Sequence, residues 1–215
     1  MESGKYRFIK FSIFRFTFSI FMKVAIVKYN AGNIESVKNA LNRLQIDSVV
    51  SDDAEVLKSA DKVIFPGVGE ASTAMEYLRE RRLNEVIISL SQPVLGICLG
   101  MQLLCDYSEE NDTKCLAILP YKVRLFESQT LKVPHIGWNT ISGLEGELFA
   151  DVSDNSYVYF VHSFYVENGT ETTATCDYSL KFSAAIQYQN FYAVQFHTEK
   201  SGEVGEKILE NFLRI

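Results

Sequence analysis

The chain has 215 residues, 47% of them hydrophobic, with a formal net charge of -6 and a mean hydropathy near zero. That length and composition suit one globular domain with a sizeable core, and an acidic balance without a basic cluster argues against nucleic acid as a partner. Cys98, Cys105, Cys115 and Cys176 form no C-x-x-C pair, which argues against zinc and thioredoxin-like sites and suits a reducing cytoplasm.

Residues 1–21 hold seven aromatic and four basic residues. Arg15 interrupts any signal-like apolar stretch, and no uncharged run approaches the roughly 20 residues of a membrane helix. Met22 to Val27 reads as a chain start running into a strand. Residues 1–21 are therefore expected to be an extension outside the functional domain, which spans 22–215. A peripheral membrane anchor is the alternative for them.

Lys23 to Lys28 is a β-branched run suited to a buried parallel strand. After the turn Asn30–Asn33, Ile34, Val37, Leu41 and Leu44 recur at helical spacing, with Asn33 placed as N-cap. A second strand over Ile46–Val50 and a short helix over Asp52–Ser59 follow. A third strand, Lys62–Phe65, stops at Pro66-Gly67-Val68-Gly69. One long helix is expected over Ala71–Leu90, then a strand ending at Cys98. This alternation predicts an α/β, doubly wound sheet, in which ligands collect beyond the carboxyl ends of strands. Pro66–Gly69 and Cys98 both fall at such ends, so they are expected to be neighbours. From Val123 to Trp138, and again from Tyr157 to Phe196, the sequence is rich in Tyr, Phe, Val and Thr with few helical periods. Tyr157–Val161 and Phe191–Phe196 read as strands, with Thr172–Cys176 and Ala184–Tyr188 as shorter ones between them. A last helix over Gly205–Leu213 turns Ile208, Leu209 and Phe212 inward.

The chemistry centres on Gly96-Ile97-Cys98-Leu99-Gly100, a G-x-C-x-G elbow between strand and helix, where only small residues fit beside the turn. The positive end of the following helix favours a reactive thiolate. A merely buried cysteine beside a tight turn is the bland alternative. Cys105, seven residues on along the same expected helix face, reads as core. His197 follows a strand and precedes Glu199 by two residues. In an extended segment those side chains share a face, so the carboxylate can orient the imidazole that serves the thiol. A surface H-x-E pair is the competing reading. Backbone N–H groups of Leu99, and of Val68 or Gly69 between permissive glycines, are candidate oxyanion donors. The short PGVG loop lacks the lysine and length of a phosphate loop.

Together, Gly96-Ile97-Cys98-Leu99-Gly100-Met101-Gln102 and Gln195-Phe196-His197-Thr198-Glu199-Lys200-Ser201 resemble the class I, triad-type glutamine amidotransferases. Four further segments are similar to the glutaminase subunits of imidazole glycerol phosphate synthases: Tyr29-Asn30-Ala31-Gly32-Asn33-Ile34, Pro66–Gly69, Lys132-Val133-Pro134-His135-Ile136-Gly137-Trp138-Asn139 and Tyr159–Tyr165. The resemblance spans Met22 to the C-terminus. It implies a flavodoxin-like doubly wound sheet with extra strands in the C-terminal half, no cofactor and no metal. It implies hydrolysis of L-glutamine by Cys98, His197 and Glu199, with Gln102 and the backbone around Ser163, Phe164 and Tyr165 holding the substrate. His135 and His162 are then structural or interface residues, since neither has a carboxylate two positions on. The implied partner is a separate (β/α)₈ cyclase subunit that receives the ammonia in histidine biosynthesis, forming a cytoplasmic heterodimer and stimulating the glutaminase. Asn33, Trp138 and Lys200 are the candidate docking residues. Neither nucleic acid nor membrane is implied as a partner.

Thr198 departs from the family's usual proline between His and Glu. Two alternatives stay open on these residues. One is an amidotransferase subunit feeding pyridoxal phosphate, anthranilate or purine synthesis; the other is a catalytically dead scaffold.

Overall fold

The computed structural model of the chain describes residues 22–30 and 32–215. The reading of residues 1–21 as an extension, and Ala31 within the first turn, lie outside them.

The first half alternates as the hydrophobic runs predict. Strand β1 (Val24–Val27) leads to helix α1 (Ile34–Arg43), β2 (Ser48–Ser51), α2 (Ala54–Lys58) and β3 (Lys62–Gly67). Then come α3 (Ala71–Glu80), α4 (Leu83–Ile88), β4 (Val94–Cys98) and α5 (Leu99–Leu104). The single helix expected over Ala71–Leu90 is two, because Arg82 takes a left-handed conformation at φ 55° between them. The helix after Cys98 has only six residues. Cys105 therefore lies on the next strand, not on a shared helix face with Cys98, although it is buried as core.

The second half is β5 (Cys105–Ser108), β6 (Thr113–Lys114), β7 (Leu119–Leu125), β8 (His135–Ile141) and β9 (Ser156–His162). It continues with β10 (Phe164–Val166), β11 (Thr172–Tyr178), β12 (Leu180–Tyr188) and β13 (Phe191–Val194), and ends in α6 (Gly202–Arg214). The large sheet runs β2-β1-β3-β4-β13-β12-β10-β7-β5-β6, with β11 paired to β12. Its β2-β1-β3-β4-β13 portion is parallel throughout. Strands β8 and β9 form a separate antiparallel ribbon.

Alternation along each strand divides the core in two. On β1, Val24 and Ile26 face one cluster, closed by Val37 and Leu41 of α1 and Ile208, Leu209 and Phe212 of α6. Ala25 and Val27 face the other, closed by Leu57 of α2, Met75 and Leu78 of α3 and Leu83 of α4. Helices cover both faces, so the parallel strands are buried on both sides. Strand β13, last in sequence, inserts beside β4. That insertion carries His197 to the same sheet edge as Cys98.

Candidate active site

The elbow is tight. Cys98 sits at φ 54°, ψ -108°, a region that non-glycine residues occupy at a cost of order 1–3 kcal/mol and that clusters at functional sites. Helix α5 leaves the strand so closely that a Cβ on Gly100 would lie 1.8 Å from the Phe65 carbonyl oxygen of β3. Small flanking residues are thus required, as the spacing predicts. The β3–β4 register pairs Gly67 with Cys98, so the PGVG loop and the cysteine are neighbours.

His197 is 1% exposed. Its Nδ1 donates to Glu199 Oε1 at 2.7 Å, while Nε2 is buried without a hydrogen-bond partner. Burial opposes the imidazolium, yet Cys98 and Glu199 beside it prevail and lift His197 to about 10. The expected pairing of positions 197 and 199 is therefore present, but by different geometry. Thr198–Lys200 is a 3₁₀ turn rather than an extended segment. Ser201 Oγ, donating to the His197 carbonyl at 2.6 Å, tightens that turn.

Asn33 holds the N-cap position of α1, its carbonyl accepting from the Ser36 N–H at 3.1 Å. Its backbone is left-handed (φ 74°) without a side-chain cap bond, and its Nδ2 donates to Glu199 Oε1 instead. That amide is committed to the carboxylate that holds His197, and Asn33 stays half-buried. Trp138 and Lys200 are exposed, Trp138 by 54%.

A cavity of about 240 Å³ opens over Cys98, bordered by Val68, Gly69, Leu99, Gln102, Ser163 and Phe164. Gly69 has φ 117°, a conformation favoured only by glycine. Tyr29, fully buried, donates its hydroxyl to the Pro66 carbonyl at 2.6 Å. It satisfies that oxygen beyond the point where β1 ends. Gln102 Nε2 donates to the Phe164 carbonyl and to Gln195 Oε1, both at 3.0 Å. The Tyr165 side chain points elsewhere. It is absent from the cavity wall, and its ring packs on Phe126 with centroids 4.7 Å apart, because β10 alternation turns it away from Phe164's neighbourhood.

Sequence reasoning missed Glu110, whose side chain also borders the cavity. Its Oε2 accepts from the Ala71 N–H at 2.7 Å, and burial raises its pKa. No periodicity points to it, since it lies in a turn after β5.

His135 and His162 form a buried pair. His162 Nδ1 lies 2.7 Å from the Phe164 carbonyl and must donate to it, which leaves Nε2 to accept from His135 Nδ1 at 3.0 Å. Asn139 Nδ2, 3.4 Å from His135 Nε2, completes a neutral chain. Burial pushes His135 to about 4 and His162 to about 3. His162 borders the cavity and His135 backs it, both as uncharged groups. Among the described residues no cluster of metal-binding side chains occurs.

This fold and arrangement define a class-I glutamine amidotransferase: the profile of the family "Glutamine amidotransferase class-I" matches residues 11–215. An imidazole glycerol phosphate synthase subunit HisH from Bacteroides fragilis is 56% identical over 196 residues, covering 90% of this chain and 100% of the relative. A HisH subunit from Vibrio parahaemolyticus is 45% identical, covering 90% and 98%. A solved structure of a glutamine amidotransferase superposes with a TM-score of 0.69 at 19% identity, over 88% of this chain and 97% of that one. The chain belongs to the HisH family, the glutaminase subunits of imidazole glycerol phosphate synthase.

Proposed function

We propose that Cys98, His197 and Glu199 carry the glutaminase reaction of this HisH-family chain, in the cytoplasm and in complex with a cyclase subunit. The observation that carries this reading is the buried His197, tied to Glu199 through Nδ1, with Cys98 beside it and no other partner for Nε2. The Cys98 sulfur attacks the side-chain amide carbon of glutamine. His197 Nε2 gives its proton to the departing nitrogen, which leaves as ammonia. Water then opens the thioester, with His197 taking the proton, and glutamate departs. Glu199 keeps the ring in one tautomer throughout.

Backbone N–H groups of Leu99 and of Val68 or Gly69 receive the developing oxyanion; losing one such donor costs on the order of a hundred- to a thousand-fold in rate. Gln102, Ser163 and Phe164 hold the substrate. Glu110 supplies the carboxylate that an α-ammonium group requires, on a wall otherwise short of negative charge. Ammonia passes to the (β/α)₈ cyclase, which forms imidazole glycerol phosphate and an aminoimidazole-carboxamide ribonucleotide. Trp138 and Lys200 contribute to the docking face. The adjacent ribbon supports this reading, since Ile136, Trp138 and Tyr157 stand out into solvent at 59%, 54% and 61% exposure.

The test is glutamate release by the chain with its cyclase and nucleotide. Cys98→Ala and His197→Ala are each expected to reduce turnover by more than about a thousand-fold. Turnover within tenfold of wild type in Cys98→Ala would overturn the assignment.

A further inference from the structure

Two buried glutamines connect the cavity wall to the Cys98 sulfur. Strands β13 and β4 run parallel in the register Phe191↔Val94 to Val194↔Ile97. The next step sets Gln195 beside Cys98, and registered neighbours in a sheet project to the same side. Gln195 is fully buried, and its Nε2 donates to Cys98 Sγ at 3.6 Å.

The orientation of that amide follows from its surroundings. Gln102 Nε2 reaches two acceptors, the Phe164 carbonyl and Gln195 Oε1. A carbonyl oxygen can only accept, so the Gln102 group facing Phe164 is its NH₂, and that NH₂ has a second hydrogen for Gln195 Oε1. Gln195 then has only its own NH₂ to present to sulfur. Besides His197, the thiol meets the Val161 carbonyl, 3.7 Å away, which accepts from S–H and offers nothing to a thiolate.

We propose that Gln195 is a catalytic residue whose amide N–H donates to the Cys98 sulfur, and that Gln102 positions that amide. The inference rests on Cys98 being the nucleophile. A hydrogen bond to an ionised group is roughly twice as strong as one between neutral groups, so the contact favours thiolate over thiol. The other titratable groups facing this site are His197 and Glu199 from the turn after β13, Tyr29 from the turn after β1, His162 of β9 and Glu110 across the cavity. His197 supports the thiolate only while protonated, and it surrenders that proton to the leaving ammonia. An amide keeps its hydrogens, so Gln195 supports the sulfur in both protonation states of His197, including when the thioester breaks and thiolate leaves. Gln195 itself forms no covalent bond and transfers no proton.

The experiment uses the full chain in complex with its cyclase, following iodoacetamide alkylation of Cys98 by peptide mass spectrometry from pH 6 to 10. In Gln195→Met, the alkylation rate at pH 7 is expected to fall about tenfold, converging with wild type at the alkaline end. Gln195→Glu keeps an acceptor for Gln102 but sets a carboxylate against the sulfur, so its rate falls further. Both variants are expected to lower kcat with KM within about twofold. A folded variant of either kind that alkylates at the wild-type rate at pH 7 overturns the proposal, and Gln195→Glu decides if Gln195→Met does not fold. Alkylation needs no glutamine turnover, so an inactive wild-type complex would instead count against the glutaminase reading.

Discussion

At the scale of single residues, the site is governed by histidines of opposite character. His197 is held at about 10, above an ordinary value of roughly 6.5. Its proton stabilises the fold fully below about pH 6.5, and that contribution is lost as pH rises towards 10. His135 and His162, pushed to about 4 and 3, behave inversely: the unfolded chain binds their protons first, so stability is lost as pH falls from about 6.5 towards 3. Thermal melts from pH 4 to 10 should show both arms. Glu199→Gln should flatten the alkaline arm alone; an unchanged alkaline slope would contradict the ion-pair account.

Thr198 is the second residue-scale test. It opens the 3₁₀ turn after His197, a first helical position that proline tolerates well, and its Oγ1 is buried without a partner. Thr198→Pro is expected to leave glutaminase activity within a few-fold and to leave the melting temperature equal or higher. A loss as large as that in Cys98→Ala would refute this.

At the scale of elements, the elbow depends on contact between α5 and β3. A methyl at position 100 would overlap the Phe65 carbonyl, so Gly100→Ala should cost about 3 kcal/mol and lower the melting temperature by roughly 6–12 °C. Calorimetry showing no shift would mean that α5 is not held as described. The elbow was legible because G-x-C-x-G is a local motif. The break at Arg82 was not, because charged Arg79 to Arg82 suit an exposed helix face, apolar residues resume at Leu83, and only a left-handed backbone ends α3. The six-residue length of α5 was equally hidden: Leu99 to Cys105 is apolar at nearly every position, so no helical period marks where β5 begins.

At the scale of the molecule, strand order decides the chemistry. Sequence periodicity gave both halves their character and the parallel first half its likeness to a doubly wound sheet. It did not give the place of β13, whose insertion between β4 and β12 brings positions 195–199 against position 98. The motif resemblance supplied that proximity. Glu110 and Gln195 escaped as site residues because their roles come only from tertiary placement. The exposed ribbon face makes a further prediction: Trp138→Ala should weaken cyclase binding by about 2 kcal/mol, roughly thirtyfold, in a titration that leaves the chain's own melting temperature unchanged. Affinity equal to wild type would move the docking face elsewhere.

One nitrogen atom links the glutaminase to its cyclase. Glutamine labelled with ¹⁵N at its side-chain amide, given to the complex with the cyclase's ribonucleotide, should place that label in imidazole glycerol phosphate. One labelled nitrogen is expected per glutamate released, with neither product formed by Cys98→Ala. Unlabelled product, or label transfer that persists in Cys98→Ala, would contradict it.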